Sequence, residues 1–538
     1  MSNSRREAKK PWIDTFTSFL EKNRGFVILF FCLPASFVFD LILISKKMLL
    51  RKFFADPKLH DKRVQIIQRE VKKWNSLPKE QRKLLCTSRP NWMSLSLTFF
   101  KKEHCHQIDV DLDDILELDE TNMTVKVEPM VTVGDITKYL IPKGYTLAVT
   151  LEIADATLGG LAMGAGMTTR SHIAGLYHEN VISYEVVLGN GNLVTASCTE
   201  NKDLYGCLPM SHGSLGFVVA LTLRIIKTKP YVKINYVPVK GLNNYCDMIR
   251  LLSGDKGPDY PVADFVEATI FDRNEAVVMT GTFSDLDKNL RVNNVNRWYK
   301  PWFYKYVETF LKKGKHTELV PLREYLLRHN RAIFWVAESA IPFGNNVLFR
   351  FLFGWLLPPK PAFLKYTTTP AIRKSTITKL VFQDVVLPMR KLEDQIDLSE
   401  KLFGVYPLLV YPCKIFDRGF GFGQLKRPRG DYLVDGTDYA MYNDLGIYGV
   451  PGYVKNREKY NPVEAIREME KFARDVGGFS FLYADIFMDR EEFERMFDLG
   501  SYEIVRKKYG AEEAFPHLYD KVKPEIDVFQ IGRLCKVD

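Results

Sequence analysis

An apolar segment near the start of the chain most constrains what the chain can fold into. Residues Gly25 to Ile44 are almost entirely apolar, and a helix needs roughly 20 such residues to cross a bilayer. Asp40 lies near the end of the segment, where its carboxylate can reach the headgroups, and Pro34 predicts a kink. We expect a single transmembrane anchor at residues 25–45, with an interfacial or re-entrant hairpin as the alternative.

The length of the chain predicts two globular domains after this anchor, and the positions of its charges indicate a membrane surface. The chain has 538 residues and a formal net charge of +10, and one core rarely serves so long a chain. Many of the basic residues flank the apolar segment, which favours a membrane surface over nucleic acid. We expect a basic segment at 1–24, an amphipathic linker at 46–84, a first domain at 58–230 with its core at 86–230, and a second domain at 231–538.

The eight cysteines are scattered and show no C-x-x-C spacing. This pattern fits a reducing compartment and no disulfide framework. The run His104-Cys105-His106 lacks a second ligand pair at suitable spacing, so we expect no metal site.

The first domain shows alternating α and β patterns. Met123 to Pro129 alternates with period two, which predicts a half-buried strand. Thr132 is a suitable N-cap for a helix that ends before Gly144. Val181 to Leu188 and Asn192 to Thr195 flank a Gly-Asn-Gly turn, which predicts a hairpin. After Pro230 longer strand and helix patterns predict a second α+β domain.

A glycine-rich segment carries the chemical signal of the first domain. Glycines remove side chains where a backbone approaches a ligand closely, and the exposed N–H groups can hold a diphosphate. Tight packing alone is the alternative. The spacing is not a Rossmann fingerprint, because a threonine holds the third glycine position. The predicted cofactor-binding residues are Thr157, Leu158, Gly159, Gly160, Leu161, Ala162, Met163, Gly164, Ala165, Gly166, Met167, Thr168 and Thr169.

The order of these motifs resembles the FAD-binding domain of the vanillyl-alcohol-oxidase type, also called PCMH-type. The resemblance covers about Cys86 to Pro230 and includes S-H-G-S-L-G-F-V at Ser211 to Val218. It implies an α+β fold in which Gly213, Ser214 and Gly216 also surround the flavin. The family's R-G-G-G-H loop corresponds to Cys86–Trp92, where Arg89 is the candidate for the pyrophosphate. That loop contains no histidine, so we expect FAD to be held non-covalently.

Five further segments indicate a more specific family within this type. They are Y-K-P-W-F at 299–303, I-P-F-G-N-N at 341–346, F-G-W-L-L-P-P-K at 353–360, L-Y-A-D at 482–485 and M-D-R-E-E-F at 488–493. The chain resembles the delta-24 sterol reductase family over nearly its whole length. The resemblance implies a sterol substrate, FAD, NADPH as electron donor and residence in the endoplasmic reticulum membrane. We expect the second domain to bind the sterol and the catalytic domain to be cytosolic. Asn122 begins a glycosylation sequon, which we expect to be bare.

Reduction of an isolated alkene requires a proton donor, because no carbonyl activates the double bond. Glu152, His172 and His178 lie near the flavin segment in sequence, and each has capping or solvation as its ordinary role. Tyr483 and Asp485 lie in an apolar run that predicts a strand with both side chains on one face. Asp485 has a buried hydrogen-bonded acid as its alternative.

The apolar run Val347–Pro358 is too short to span a bilayer. A buried core helix and a membrane-dipping surface are the two interpretations. No separate nicotinamide motif is present, so we expect NADPH to use the same flavin face as the sterol. The alternative functions are a flavin-dependent oxidase of the same superfamily and a non-catalytic sterol-binding protein.

Overall fold

The computed structural model describes residues 24–537 except 55, 256, 258, 259, 358 and 420. Residues 1–23 of the predicted basic segment therefore lie outside the described residues. The N-terminal part is helical: Arg24–Val27 and Leu33–Phe54 are α-helical and are joined by a π-turn at Ile28–Cys32. The amide of Leu33 donates to the carbonyl of Ile28. Pro34 has no N–H and its ring displaces the preceding turn, which explains the π-turn.

The helical segment Ile28–Leu49 is long and apolar enough to cross a membrane. Leu33 and Ser36 are buried, and the other residues of this segment are half-buried or exposed. One side nevertheless contacts the body of the protein. The hydroxyl of Ser36 accepts a hydrogen bond from the Lys360 amide at 3.0 Å, and Lys47 pairs with Asp135 at 2.5 Å.

The remaining structure is mixed α+β, as predicted. Its strands are β1 (Leu85–Thr87), β2 (His106–Ile108), β3 (Ile115–Asp119), β4 (Thr124–Val127), β5 (Tyr145–Leu147), β6 (Val181–Val187), β7 (Leu193–Ser197), β8 (Phe217–Lys227), β9 (Tyr231–Lys240), β10 (Phe265–Asp272), β11 (Glu275–Ser284), β12 (His316–Pro321), β13 (Val381–Pro388), β14 (Leu408–Phe416), β15 (Tyr439–Gly449) and β16 (Phe479–Ser480).

The α-helices after the N-terminal segment are mostly short. They are His60–Asn75, Val133–Leu140, Leu158–Gly164, Ser171–Ala174, Lys202–Cys207, Leu242–Ser253, Phe303–Glu308, Phe310–Lys313, Leu322–Leu326, Val336–Ala340, Val347–Phe353, Pro361–Tyr366, Pro370–Lys379, Leu392–Leu402, Gly452–Lys455, Pro462–Val476, Arg490–Met496, Gly500–Lys508, Ala511–Ala514, Leu518–Val522 and Val528–Val537.

Two large antiparallel sheets organise these elements. The first has the order β3-β4-β8-β6-β7, with β5 paired to β8, and the second has the order β12-β9-β11-β10-β14-β15-β13-β16. The short pair β1–β2 is parallel. The predicted hairpin is confirmed as β6–β7. The predicted cap is confirmed as a capping box between Thr132 and Asp135, which satisfies two amides of the helix N-terminus.

The last part of the chain returns to the first sheet. The ring of Phe515 packs on Phe217 of β8 at 5.2 Å, and Lys508 pairs with Asp203 at 2.6 Å. A Cβ added at Gly189 would lie 2.4 Å from that of Ala514. Residues of the region 500–523 therefore pack on the predicted first domain.

Candidate active site

The glycine-rich segment forms the helix Leu158–Gly164 and then an extended stretch. Its glycines have different roles. A Cβ at Gly159 would lie 2.5 Å from the Cβ of Pro129, so Gly159 is required by packing. A Cβ at Gly164 would have His212 Cε1 as its nearest neighbour, at 3.7 Å. Packing within the protein therefore leaves room for a methyl group at Gly164.

The stretch after this helix contains unpaired amides. Ala165, Gly166 and Met167 are buried, and their N–H groups meet no hydrogen-bond acceptor among the residues that the structure describes. Buried backbone donors are nearly always paired in proteins. A ligand rich in acceptor oxygens or nitrogens would satisfy them, which fits a flavin dinucleotide.

The structure brings the second predicted flavin segment to the first one. The amide of His212 donates to the Met163 carbonyl at 3.1 Å, and the buried Nε2 of His212 has no partner in the described part of the chain. Gly213 follows with a φ of +72°, and the Ser214 hydroxyl donates to the Ser211 carbonyl at 2.6 Å. Gly216 serves packing, because a Cβ there would lie 2.5 Å from Val186.

Arg89 lies near the start of the glycine-rich segment. Burial lowers its pKa to about 10, against the opposing charges of Asp155 and Asp111, and Asp155 lies two residues before Thr157. One guanidinium nitrogen donates to the Met93 carbonyl at 2.8 Å. The buried Nε has no acceptor in the described residues. Such a guanidinium fits a diphosphate oxygen.

The end of the glycine-rich segment is attached to the second sheet. The Thr169 carbonyl accepts from the amide of Val266 on β10 at 2.8 Å, one residue before Glu267. Leu151 packs against Gly166, where an added Cβ would lie 3.1 Å from the Leu151 side chain. Glu152, the next residue, is thereby placed between the glycine-rich segment and the sheet.

Arg328 joins Glu152 to Glu267. Its guanidinium forms two bonds to Glu267, at 2.9 and 2.6 Å, and its Nη2 lies 3.8 Å from Glu152. All three side chains are buried. Burial raises the pKa of Glu267, but the charge of Arg328 outweighs it and lowers that pKa to about 2. For Glu152 burial prevails over Arg328, and its pKa rises to about 7.

Further acids and tyrosines lie on the same face of the sheet. Tyr411 of β14 is the direct partner of Asp444 of β15, and Asp384 of β13 pairs with Gly446, two residues along β15. Alternation along β15 puts Tyr448 on this face as well, and its hydroxyl donates to the Asp384 carboxylate. Burial raises the pKa of Asp384 to about 6 and raises that of Asp444, with added repulsion from Asp384 and Glu152.

Two of the predicted acid candidates belong to this group. Glu152 is one, and its Oε1 is buried without a hydrogen-bond partner in the described structure. Tyr483 is the other: burial raises its pKa, and the charges of Asp384, Asp444 and Glu152 add to the effect. We call Glu152, Glu267, Arg328, Asp384, Tyr411, Asp444, Tyr448 and Tyr483 the acid–tyrosine cluster.

The predicted strand through Tyr483 and Asp485 is wrong. β16 ends at Ser480, because it pairs with only two residues of β13, and the chain then turns. Asp485 forms a two-bond pair with Arg373, at 2.6 and 2.8 Å. This buried pair fits the structural alternative for Asp485.

The two histidine candidates are buried outside this group of acids. The Nε2 of His172 lies 2.8 Å from the carbonyl of Ala263, and burial lowers its pKa to about 4. Burial also lowers the pKa of His178, which lies 3.7 Å from Glu179. Both rings are therefore mainly neutral at pH 7, and a neutral imidazole is a weak acid.

Sequence reasoning missed most of the acid–tyrosine cluster. One available signal was an acid within an apolar strand, as at Glu267, Asp384 and Asp444. Acids are rarely buried without a partner or a function, so such positions indicate a candidate site. Their meeting depends on the order of β10, β14, β15 and β13. The described residues contain no group of three or more side chains that would hold a metal ion.

The apolar run after Asn346 is a surface helix. Leu348, Phe351 and Trp355 are 67%, 57% and 50% exposed, so the core interpretation is wrong. The N-terminal helix is adjacent, because Phe37 packs edge-on against Trp355 at 5.2 Å. Lys360, just beyond the run, pairs with Asp40 at 3.3 Å.

Comparison with known proteins agrees with this arrangement. A family model described as an FAD binding domain matches residues 81–197. The Delta(24)-sterol reductase of Homo sapiens is 39% identical over 503 residues, 93% of each chain. That of Arabidopsis thaliana is 36% identical over 537 residues, 96% of this chain and 94% of the relative. A Delta(24)-sterol reductase homolog of Caenorhabditis elegans is 37% identical over 506 residues, 91% and 93% of the two chains. The chain belongs to the Delta(24)-sterol reductase family.

Proposed function

We propose that this protein reduces the delta-24 double bond of a sterol side chain with FAD as its cofactor. The observation that carries the proposal is the position of Glu152. This carboxyl has a pKa raised to about 7 and lies between the glycine-rich segment and the acid–tyrosine cluster. A flavin bound at that segment would have a buried proton donor beside it, as this reaction requires.

The protein's part in the chemistry follows from the alkene. Protonation of the less substituted carbon builds positive charge on the tertiary carbon. When bound, FAD would supply the hydride that this carbon takes. Glu152 is protonated in about half of the molecules near its pKa, which suits a general acid at neutral pH. Tyr411, Tyr448 and Tyr483 offer aromatic faces that can stabilise the developing cation.

The residues that would hold FAD are those with unpaired donors. The amides of Ala165, Gly166 and Met167 and the guanidinium of Arg89 would meet acceptor atoms of the cofactor. The loop Cys86–Trp92 contains no histidine, so we propose non-covalent binding. Denaturation in acid should then release the flavin into the supernatant, whereas a flavin that stays with the precipitate would contradict it.

The membrane supplies the sterol in this proposal. The exposed helix Val347–Phe353 and the N-terminal helix form adjacent apolar surfaces, which supports docking to lipid. We propose residence in the endoplasmic reticulum membrane with a single span and a cytosolic body. Asn122 is exposed, so a lumenal body would expose it to glycosylation. A glycosidase-sensitive mass shift would contradict the cytosolic orientation.

NADPH is the proposed electron donor, on the strength of the resemblance to the family. A single flavin face would be used first by NADPH and then by the sterol. Two-substrate kinetics should therefore give parallel lines in double-reciprocal plots. Intersecting lines would contradict the shared face.

The decisive experiment is analysis of the sterol product. Full-length protein in detergent, supplied with FAD, NADPH and desmosterol, should convert the sterol to a product heavier by two hydrogens. The oxidase alternative predicts oxygen consumption and peroxide without sterol reduction. The sterol-binding alternative predicts bound sterol and no product. Either result would overturn the proposal.

A further inference from the structure

Three side chains from the last part of the chain converge on Gly213 and Ser214. The Tyr502 hydroxyl donates to Ser214 Oγ at 2.8 Å, and an Arg506 nitrogen donates to the Ser214 carbonyl at 2.9 Å. The Lys521 ammonium donates to the Gly213 carbonyl at 3.3 Å. The segment predicted to surround the flavin is therefore held by residues that lie some 300 positions later in the chain.

The side chains of Tyr502 and Arg506 are buried, and their polar groups have hydrogen-bond partners within the protein. Arg506 also donates to the Phe515 carbonyl at 2.9 Å, and the Tyr502 hydroxyl accepts from the amide of Leu518 at 2.9 Å. Lys521 differs, because its contact with the Gly213 carbonyl satisfies one ammonium proton and leaves two for another partner. Its ammonium lies over the ring of Phe100, 5.6 Å from the centroid.

The charges around Lys521 are unbalanced. Burial lowers its pKa to about 8, and the charge of Lys102 adds to the effect. The Lys102 ammonium donates hydrogen bonds to the loop that begins at Cys86. Its Nζ lies 3.0 Å from the Thr87 carbonyl oxygen and 2.6 Å from the Arg89 carbonyl oxygen. Within the described ranges no carboxylate lies within 4.0 Å of Lys521, Lys102 or Arg89. Partly buried cations without a carboxylate in direct contact are costly, and a bound anion would relieve that cost.

We propose that Lys521 binds the diphosphate of the flavin dinucleotide, so that the C-terminal part of the chain completes the cofactor site. The inference rests on the proposed function, in which FAD occupies this site. Lys521 contacts one predicted flavin segment at Gly213, and Lys102 links it electrostatically to the other at Arg89. Arg89 binds the same diphosphate, while Lys102 positions the loop.

A thiolate is the competing counter-charge. Cys86 and Cys105 form a hydrogen-bonded thiol pair near Lys521. The hydrogen bond from Cys86 lowers the pKa of Cys105 to about 7, with Lys521 and Lys102 contributing. If this thiolate balances Lys521, replacement of Cys105 by serine should free the ammonium and tighten FAD binding, and loss of the lysine charge should leave FAD affinity unchanged. If the diphosphate does, C105S leaves flavin affinity unchanged.

The test is flavin affinity of the full-length apoprotein in detergent. FAD and riboflavin are titrated separately and followed by flavin fluorescence, because riboflavin lacks the diphosphate. Lys521→Gln keeps a donor for the Gly213 carbonyl and removes the charge. We expect the dissociation constant for FAD to rise at least tenfold and that for riboflavin to stay unchanged. Lys521→Arg should restore most of the FAD affinity. Lys523→Ala, which removes an exposed partner of Asp520, is the matched control.

The outcomes separate the inference from the function on which it rests. An unchanged dissociation constant for FAD in K521Q, while the wild type binds FAD, overturns the role of Lys521 alone. Equal losses for FAD and riboflavin also overturn it, because the lysine then only holds Gly213. Absence of FAD binding by the wild type overturns the proposed function itself. None of these readouts requires sterol turnover.

Discussion

Arg328 lies between two buried glutamates, with its Nη2 2.6 Å from Glu267 and 3.8 Å from Glu152. At Glu152 burial, with added repulsion from Glu267, outweighs the attraction of the Arg328 charge. The two carboxyls consequently differ in protonation at neutral pH. Glu267, whose pKa is lowered to about 2, is ionised, whereas Glu152, whose pKa is raised to about 7, is protonated in about half of the molecules. Divergent pKa values of neighbouring acids are a recurrent arrangement in acid–base catalysis.

Glu152→Gln should remove the pH dependence of the sterol half-reaction. In the wild type the protonated fraction of Glu152 falls roughly tenfold between pH 6 and pH 8, and the rate at which sterol reoxidises the reduced flavin should fall with it. The variant should be slower by about 100-fold or more at pH 6, as for loss of a general acid, and its profile should be flat. Stopped-flow absorbance measures this rate.

Glu470→Gln is the matched control for that variant. Glu470 is also buried with a pKa raised, by burial, to about 8, but it accepts from the amide of Phe487 in another part of the protein. E470Q should keep the wild-type profile. A similar loss in both variants would mean that the pH dependence reports a general effect of buried acids.

Glu152 also affects stability, with the opposite sign to an ordinary salt-bridged acid. Its folded-state pKa lies above the unfolded value, so the folded state binds the proton more tightly. The contribution to the free energy of unfolding is fully present below pH 4.5 and is lost as pH rises to about 7. Denaturation midpoints between pH 5 and 8 should therefore decline less in E152Q than in the wild type. A steeper decline in E152Q would contradict the raised pKa.

Loss of one partner of the Arg328–Glu267 pair should destabilise the fold. Glu267→Ala leaves the guanidinium buried without its counter-charge, which costs about 3–5 kcal/mol. Lys240→Ala removes an exposed pair with Glu275 on the neighbouring β9–β11 ladder and should cost about 1 kcal/mol or less. Urea unfolding of the two variants measures the difference. Equal midpoints would show that the buried pair contributes nothing.

Two glycines of the cofactor segment should respond differently to alanine. Gly159→Ala places a Cβ 2.5 Å from Pro129 and should lower thermal stability. Gly164→Ala has space within the protein, so its melting temperature without flavin should match the wild type, while the new methyl group should weaken FAD binding at least tenfold. Thermal melts and flavin titration separate the two effects. Unchanged FAD affinity in G164A would place the flavin elsewhere.

The exposed apolar helix should govern access to membrane-bound sterol. Phe351→Ser and Trp355→Ser together should reduce sterol turnover on vesicles at least tenfold and leave the FAD dissociation constant unchanged. The control is Leu251→Ser, because Leu251 is also exposed, at 44%, on the distant helix Leu242–Ser253. Loss of flavin binding in the double variant would contradict a purely membrane-facing role.

Local patterns predicted local structure well. The apolar length of the N-terminal segment, the Thr132 cap and the β6–β7 hairpin all depend on residues near one another in sequence. Glu152 could be proposed because it precedes the glycine-rich segment. Asp384 and Asp444 could not, because only the sheet order brings β13 and β15 beside that segment.

Tyr483 and Asp485 show where prediction from local sequence fails. Their apolar surroundings alternate like a strand, but β13 offers pairing to only two residues, Phe479 and Ser480. The chain then turns, so that Tyr483 lies in the acid–tyrosine cluster and Asp485 pairs with Arg373. Local alternation contains no information about where a sheet edge ends.

The most direct test of the account is an anaerobic absorption experiment on the purified full-length protein. The bound flavin should bleach when NADPH is added and recover its oxidised spectrum when desmosterol follows, with cholesterol, which has no delta-24 bond, giving no recovery. A flavin that bleaches but does not recover with desmosterol would contradict sterol reduction. A protein that takes up no flavin even with added FAD would contradict the cofactor site as well.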